Sequence, residues 1–182
     1  MHAVRTIILV VWVVFWLYWL AASVGVKPGR SRWGRTVGIR LGIAVIVVVL
    51  LHAKTFKAQT NAGDPWLAGI GLAVVLSGLA VAVWARLYLG RNWGTPMSEK
   101  VDPELVTTGP YGSVRHPIYS GIVLAMAGTA IALSWYWLIA VALLGASFVY
   151  SAIVEEQNMT RLFPDAYPAY RRRTKMLIPF LL

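Results

Sequence analysis

Long uncharged stretches alternate with short polar segments along the chain of 182 residues. Residues 6–26 carry no charge, residues 37–53 are apolar apart from Arg40 and His52, and residues 66–85 are again uncharged. An α-helix rises 1.5 Å per residue, so about 20 residues cross the hydrocarbon core of a bilayer. The three stretches therefore predict transmembrane helices, and Pro65 is expected in the first turn of the third.

A fourth apolar stretch, residues 118–154, has no charged residue. One helix of this length would extend about 55 Å, which is too long for a single crossing. Two helices joined near Ser134 and Trp135 fit better, and Gly121 and Gly128 in the first of them allow close helix packing. The pattern thus predicts an all-α, polytopic membrane protein with about five transmembrane helices, the last two a tight hairpin. A polar loop would precede this hairpin and an amphipathic C-terminal segment would follow it.

Composition and charge support a membrane protein. Hydrophobic residues make up 58% of the chain and charged residues 13%, whereas soluble domains average about 45–50% and about 25%. A net charge of +10 would suggest nucleic-acid binding in a soluble chain. Here the basic residues cluster between apolar stretches, so we expect them to face anionic lipid headgroups and to set the topology.

The distribution of the basic residues predicts the orientation in the membrane. With five spans, thirteen of the 17 Lys and Arg residues fall on one face and three fall on the other. Since the basic face is normally cytoplasmic, we expect the N-terminus outside and the C-terminus, with the long polar loop, in the cytoplasm. The even spacing of the spans predicts a single integral membrane domain over residues 1–182, with three spans in residues 1–89.

Several kinds of site are excluded because their motifs are missing. The chain has no cysteine, which excludes disulfides, thiolate metal sites and a cysteine nucleophile. It has no dinucleotide-binding G-x-G-x-x-G fingerprint, no H-E-x-x-H and no P-loop. Its three histidines, at positions 2, 52 and 116, are too scattered to predict a metal site.

The densest polar motif precedes the predicted hairpin. Gly109 and Pro110 are typical of a turn, and Pro117 can begin a helix at the membrane surface. Arg115 and His116 then lie at the N-terminal end of that helix, where unpaired backbone N–H groups favour an anion. The two side chains could hold a carboxylate or phosphate, or they could serve only as interfacial anchors.

Two adjacent acids, Glu155 and Glu156, end the longest uncharged stretch. Acids at the edge of the hydrocarbon are costly, so a functional role is the working hypothesis and a solvated helix end is the alternative. If residues 118–154 form a hairpin, the acids return to the face that carries Arg115. The topology would then bring the two motifs together.

The C-terminal region contains a third motif. Tyr167 and Tyr170 are three residues apart and therefore share one side of a helix, although Pro168 indicates a break or a helix start. A basic cluster follows them, consisting of Arg171, Arg172, Arg173 and Lys175. The region reads as an interfacial segment that binds anionic lipid headgroups, and it could also contribute to a site.

Taken in order, these motifs resemble the isoprenylcysteine carboxyl methyltransferase family and its relatives among the phospholipid methyltransferases. The resemblance covers roughly residues 86–180, while the N-terminal half matches only as generic spans. The matching segments are L-G-x-N-W at 89–93, L-V-T-T-G-P-Y at 105–111, R-H-P-x-Y-x-G at 115–121, E-E at 155–156 and F-x-x-x-Y-x-x-Y at 163–170. One departure is Pro164, which stands where the relatives usually have Gly.

The resemblance implies an integral membrane enzyme that binds S-adenosylmethionine on its cytoplasmic side and receives a lipophilic acceptor sideways from the bilayer. Residues 90–182 would then comprise a cofactor-binding loop, the helical hairpin and a C-terminal cap. The implied catalytic residues are Arg115, which would orient the acceptor, Glu155 and Glu156. The implied cofactor-binding residues are Val106, Gly109, Pro110, Tyr111, His116, Pro117, Tyr119, Glu156, Tyr167 and Tyr170.

The residue types are compatible with methyl transfer to more than one acceptor. Transfer from a sulfonium is an in-line displacement that depends largely on alignment in a dry site. A carboxylate of an isoprenylcysteine-like acceptor is favoured, since it is already nucleophilic and needs only orientation by Arg115. A phospholipid amine or a small thiol would have to lose a proton, for which Glu155, Glu156 or His116 could serve.

Two other classes of function compete with this one. Membrane sterol reductases carry a similar R-H-P-x-Y-x-G block and use NADPH, but an acid commonly follows their glycine, where this chain has Ile122. A non-enzymatic lipid-binding membrane protein would not need Arg115 and the two acids to converge. No nucleic acid and no obligate protein partner is predicted.

Overall fold

The computed structural model describes residues 2–22, 29–31, 64–93, 98–100 and 104–179. These ranges contain five α-helices: α1 (His2–Ala22), α2 (Pro65–Leu89), α3 (Pro117–Leu133), α4 (Trp137–Leu162) and α5 (Ala166–Arg173). They also contain two short antiparallel strands, β1 (Gly29–Ser31) and β2 (Ser98–Lys100), with Gly29 opposite Lys100. The predicted helical architecture is therefore confirmed, with this strand pair as an addition.

Helices α1, α2 and α4 are each long and apolar enough to cross a membrane, and α3 is a shorter apolar helix. The predicted span at residues 37–53 lies outside the described residues, so the count of five spans stays a prediction. Many large apolar side chains point away from the protein, among them Leu9, Leu17, Leu20, Trp66 and Leu87. Such a surface suits lipid rather than water, as expected for an integral membrane protein.

Local sequence signals account for both ends of α2. The carboxylate of Asp64 accepts hydrogen bonds from the backbone N–H groups of Trp66 (2.9 Å) and Leu67 (3.4 Å), which are left unpaired at a helix start. Pro65 occupies the first turn, as predicted. The helix ends at Gly90, whose φ of +50° lies in the region that favours glycine.

Charged residues that flank the uncharged stretches lie inside helices rather than at their ends. Helix α1 includes Arg5, whose exposed side chain can extend to the membrane surface. Helix α2 continues three residues beyond Arg86. Helix α4 continues six residues beyond Glu156, so the alternative of a solvated helix end for the acid pair is wrong. In each case a long side chain or an internal partner accommodates the charge.

Arg86 shows how such a charge is accommodated. Its side chain is buried, and its guanidinium donates to the carbonyl oxygens of Gly90, at 2.7 Å, and Ala22. The guanidinium also lies 4.6 Å from the ring centroid of Trp93, a cation–π distance. Arg86 thereby joins the C-terminal ends of α1 and α2, which lie at the same end of the helix bundle.

Helices α2 and α3 pack with their backbones in close contact, as Gly121 and Gly128 predicted. A Cβ atom at Gly121 would lie 2.5 Å from the carbonyl oxygen of Gly78, and one at Gly128 would lie 2.6 Å from the amide nitrogen of Val75. No side chain fits at either position, because ordinary carbon contacts begin at 3.4 Å. The two helices run antiparallel, so the start of α3 lies beside the end of α2.

Candidate active site

The polar motifs meet at one end of the bundle, where α3 begins and α4 ends. Helices α3 and α4 are separated by only three residues, and they pack antiparallel so that Tyr119 near the start of α3 reaches Glu155 near the end of α4. The Tyr119 hydroxyl donates to Glu155 Oε1 at 2.5 Å. The convergence predicted for Arg115 and the two acids is present in the structure.

Glu156 is buried and surrounded by three basic side chains. Its exposed fraction is 4%, and its Oε1 accepts from Arg115 Nε at 2.7 Å. Arg171 Nε lies 3.3 Å from Oε2 and His116 Nε2 lies 3.5 Å from Oε1. A carboxylate out of contact with water is tolerated when charged partners surround it in this way.

Arg115 is engaged by protein groups on several sides. Its side chain is 7% exposed, and beyond the contact with Glu156 its Nη1 donates to the backbone carbonyls of Arg171, at 3.3 Å, and Thr174. The backbone N–H of Arg115 donates to the Lys175 carbonyl at 2.8 Å. Arg115 therefore connects the start of α3 to the end of α5.

The segment that follows α5, residues 174–177, runs alongside residues 113–116. The two stretches form a parallel bridge between Val114 and Lys175, and the His116 N–H donates to the Met176 carbonyl at 3.0 Å. The Ser120 hydroxyl donates to the Leu177 carbonyl, and Leu177 is buried in the apolar core. We call residues 174–177 the closing segment, since they cover the start of α3.

Three aromatic rings form a stack beside Glu155. The His116 and Tyr119 rings are nearly parallel with centroids 5.6 Å apart, and Tyr119 stacks on Phe148 at 4.8 Å. His116 Nδ1 lies 3.5 Å from Glu155 Oε2, and Glu155 keeps an exposed fraction of 26%. We call His116, Tyr119 and Phe148 the aromatic stack; with Glu155 it offers π-faces and one partly accessible carboxylate.

His116 combines burial with two acidic neighbours. Burial lowers the pKa of its imidazole, but the contacts with Glu155 and Glu156 outweigh that effect and raise the pKa above its ordinary value of 6.5. Within the described residues Nε2 makes no hydrogen bond, although Glu156 Oε1 lies 3.5 Å from it. This buried nitrogen of the imidazole is therefore able to form a hydrogen bond with a ligand.

The turn at residues 109–112 is connected to α5 through a hydrogen bond between Tyr170 and Tyr111. Gly109 has a φ of +60°, a conformation that favours glycine, and a Cβ there would clash with the Tyr88 ring. The Tyr170 hydroxyl donates to the Tyr111 carbonyl at 2.6 Å, and burial raises the pKa of Tyr170 to about 12. Burial also raises the pKa of Tyr111, so both hydroxyls stay protonated at physiological pH.

The remaining predicted residues lie around this centre. Tyr167 and Tyr170 are both buried, with ring centroids 5.9 Å apart, so they share one side of α5 as predicted. Burial and the nearby Glu156 raise the pKa of Tyr167. Pro117 is buried at the first position of α3, Pro110 is buried in the turn, and Val106 is half-buried in the segment that precedes the turn.

Arg171 is a site residue that the sequence did not single out, because it stands in a basic cluster that predicts lipid contact. Its position four residues after Tyr167 was an available signal, since residues i and i+4 share one helix side. Phe148 was missed because an aromatic residue within an apolar stretch is ordinarily part of the core. Asn92, near the start of the long polar loop, donates to Oε2 of Glu104 in the middle of that loop at 3.0 Å.

Comparisons with known proteins converge on one family. Residues 66–166, more than half of the chain, match the family described as "Phospholipid methyltransferase". A nickel-cobalt-cadmium resistance protein of Alcaligenes xylosoxydans xylosoxydans is 29% identical over 78% of this chain and 65% of its own length. The protein-S-isoprenylcysteine O-methyltransferase of Xenopus laevis is 32% identical over 64% of this chain and 42% of its own length.

A third relative is methanethiol S-methyltransferase 1 of Bradyrhizobium diazoefficiens, which is 35% identical over 45% of this chain and 28% of its own length. The chain thus spans less than two thirds of the length of these relatives. Their names describe metal resistance, O-methylation and S-methylation. Two of the three relatives are thus named as methyltransferases, with different acceptors, and the third is named for metal resistance.

Proposed function

Because the chain belongs to the phospholipid methyltransferase family, we propose that it transfers a methyl group from S-adenosylmethionine to a lipophilic acceptor. One observation carries this proposal: the R-H-P-x-Y and E-E motifs, 36 residues apart from Tyr119 to Glu155, meet in a hydrogen bond at one end of an apolar bundle. A lipid-binding protein without chemistry has no need of this convergence.

The residues of the site suit the proposed methyl donor. Glu155 and the aromatic stack offer a carboxylate and π-faces, which are favourable to a cationic sulfonium or ammonium group. At the site itself, the buried His116 Nε2 makes no hydrogen bond within the described residues and so remains able to bind a polar ligand. When bound, S-adenosylmethionine supplies an electrophilic methyl group on sulfur.

The side chains of this chain would hold and align the reactants. The predicted ligand-binding residues, besides Glu155, are Val106, Gly109, Pro110, Tyr111, His116, Pro117, Tyr119, Glu156, Tyr167 and Tyr170, and Arg115 is the predicted acceptor-orienting residue. A carboxylate acceptor needs alignment alone, whereas an amine or thiol would give up a proton to Glu155 or His116. The carboxylate of an isoprenylcysteine-like acceptor is favoured on the resemblance.

The proposal includes a membrane setting. The acceptor would enter between helices from the bilayer, while the exposed Arg161, Arg173 and Lys175 face anionic lipid headgroups. The distribution of Lys and Arg supports a cytoplasmic site and C-terminus with the N-terminus outside. We expect no nucleic acid and no obligate protein partner.

Ligand binding by the purified full-length chain tests the proposal. In calorimetric titrations we expect S-adenosylhomocysteine to bind and NADPH not to bind. NADPH binding alone would favour a sterol-type reductase, and binding of neither ligand would reject both enzymatic functions. As a matched pair, Glu155→Gln should weaken binding whereas Gln157→Ala, at an exposed position on the same helix, should not.

The acceptor is identified separately. Membranes that contain the protein are incubated with S-adenosylmethionine carrying a radiolabelled methyl group, and the labelled lipid, peptide or thiol is isolated. A base-stable label would argue against a carboxyl methyl ester, because esters hydrolyse in base.

A further inference from the structure

The two adjacent acids have different surroundings, and we infer from this that they have different tasks. Glu155 is the acid that meets the reactants, whereas Glu156 is a positioning residue that, through Arg115 and Arg171, holds α5 and the closing segment against the start of α3. This inference rests on the proposed function and assigns roles within the same site.

The two acids differ in how far their side chains are buried. The side chain of Glu156 is 4% exposed and that of Glu155 is 26% exposed, although they are neighbours in sequence. Successive residues of an α-helix point about 100° apart, so the Glu156 carboxylate lies between Arg115 and Arg171 while the Glu155 carboxylate lies beside Tyr119. Glu155 is therefore partly accessible to a reactant, whereas the buried Glu156 is not.

Glu156 and the two arginines that contact it belong to three separate pieces of the chain. Arg115 precedes α3, Arg171 extends from α5, and Glu156 itself lies in α4, with N–O distances of 2.7 Å and 3.3 Å. Arg115 also donates to the Thr174 carbonyl at the beginning of the closing segment. Loss of the Glu156 charge would leave two guanidinium groups near a buried neutral side chain, which weakens the contact of all three pieces.

The same contacts bear on Arg115, for which the sequence predicted an acceptor-orienting role. Its Nε donates to Glu156, its Nη1 donates to two backbone carbonyls, and its side chain is 7% exposed. An acceptor carboxylate would have to replace these contacts. Arg115 is therefore a positioning residue like Glu156, in place of the acceptor-orienting role that the resemblance implies. Tyr119 and His116, which contact Glu155, are the remaining polar groups of the motif.

Hydrogen exchange measures the positioning role without any ligand. The amides of Arg115, His116 and Lys175 make the hydrogen bonds that hold the closing segment, so their exchange reports on its attachment. We expect Glu156→Gln to accelerate exchange in residues 113–116 and 174–177 by about tenfold or more, because a buried partner is lost. Glu155→Gln should leave it at the wild-type rate.

Arg171 provides a variant that is safe for folding, because its side chain is 60% exposed. Arg171→Ala should accelerate the same exchange, and Arg171→Lys, which keeps the charge, should restore much of the wild-type rate. Arg172→Ala is the matched control, since Arg172 is the exposed next residue of α5. An equal effect of the control would overturn the inference.

Affinity for S-adenosylhomocysteine distinguishes the two roles. If Glu156 acts through Arg171, the double variant Glu156→Gln/Arg171→Ala should bind S-adenosylhomocysteine no more weakly than Glu156→Gln alone. The reason is that both changes break the same contact between Glu156 and Arg171. Glu155→Gln should weaken binding with unchanged exchange. Wild-type exchange in Glu156→Gln, or undiminished affinity in Glu155→Gln, would refute the assignment. If the wild type binds no S-adenosylhomocysteine, the proposed function fails, while exchange still decides the role of Glu156.

Discussion

Replacement of Gly121 by Ala should separate α2 from α3 and disturb the site at the start of α3. The new Cβ would lie 2.5 Å from the Gly78 carbonyl oxygen and 2.7 Å from the Ala82 amide nitrogen. Both neighbours are backbone atoms that cannot rotate away, so the helices must move by about 1 Å to restore an ordinary contact. Overpacking of this kind costs about 1–3 kcal/mol.

The thermal unfolding midpoint of the purified protein measures this cost. For a chain of this size a loss of 1–3 kcal/mol corresponds to a decrease of about 2–12 °C. S-adenosylhomocysteine binding should weaken as well, because a shift of about 1 Å at a binding site has large effects.

Gly69→Ala is the control for the Gly121 substitution. Gly69 lies on α2 with nothing within 4 Å of its Cβ position, so alanine there should leave the midpoint unchanged or raise it, since alanine favours the helix. The reasoning about backbone contact is refuted if Gly121→Ala unfolds at the wild-type temperature, or if Gly69→Ala loses as much stability.

Three further predictions concern the surroundings of the site. Tyr170→Phe removes the hydroxyl that donates to the Tyr111 carbonyl; we expect a loss of about 1–3 kcal/mol in the free energy of unfolding, seen as a lower midpoint, because a buried acceptor is left unpaired. The pKa of His116 is raised in the folded protein, so protonated His116 stabilises the fold fully below pH 6.5, and this stabilisation is lost as the pH rises through the raised pKa. The thermal unfolding midpoint should therefore fall over that pH range in the wild type, and it should fall less in His116→Gln. The double variant Arg173→Gln/Lys175→Gln should reduce the stabilisation by anionic over zwitterionic lipid by about 1 kcal/mol per charge, and an equal response to both lipids in the wild type would contradict the lipid contact.

Sequence reasoning worked best where one residue determines the local geometry. Pro65 and Pro117 begin helices because proline fixes φ and needs no hydrogen bond in the first turn. Gly121 and Gly128 allow the close contact of α2 and α3 because they lack side chains. These properties belong to the residue itself, so the sequence alone was sufficient to predict their effects.

Sequence reasoning failed where a charge is stabilised by a distant part of the chain. Arg86 directly follows the uncharged stretch 66–85 and yet lies inside α2, because its partner is the Ala22 carbonyl, 64 residues away. Glu156 lies inside α4 because Arg115 and Arg171 approach it from other elements. The same reason explains the two adjacent acids, which are chemically identical in sequence and become different only when α5 packs over one of them.

The R-H-P-x-Y-x-G motif separates into architectural and chemical parts when its contacts are assigned. Pro117 begins α3, Gly121 allows α2 to pack closely against α3, and Arg115 attaches the closing segment. His116 and Tyr119 are the two members that face Glu155. Since three of the five named positions build the start of a helix and its contacts, the motif by itself predicts this architecture more strongly than a reaction. It follows that proteins sharing the motif can differ in chemistry, and that Glu155, with the segments packed around it, is where variants of this chain should change the reaction without changing the fold.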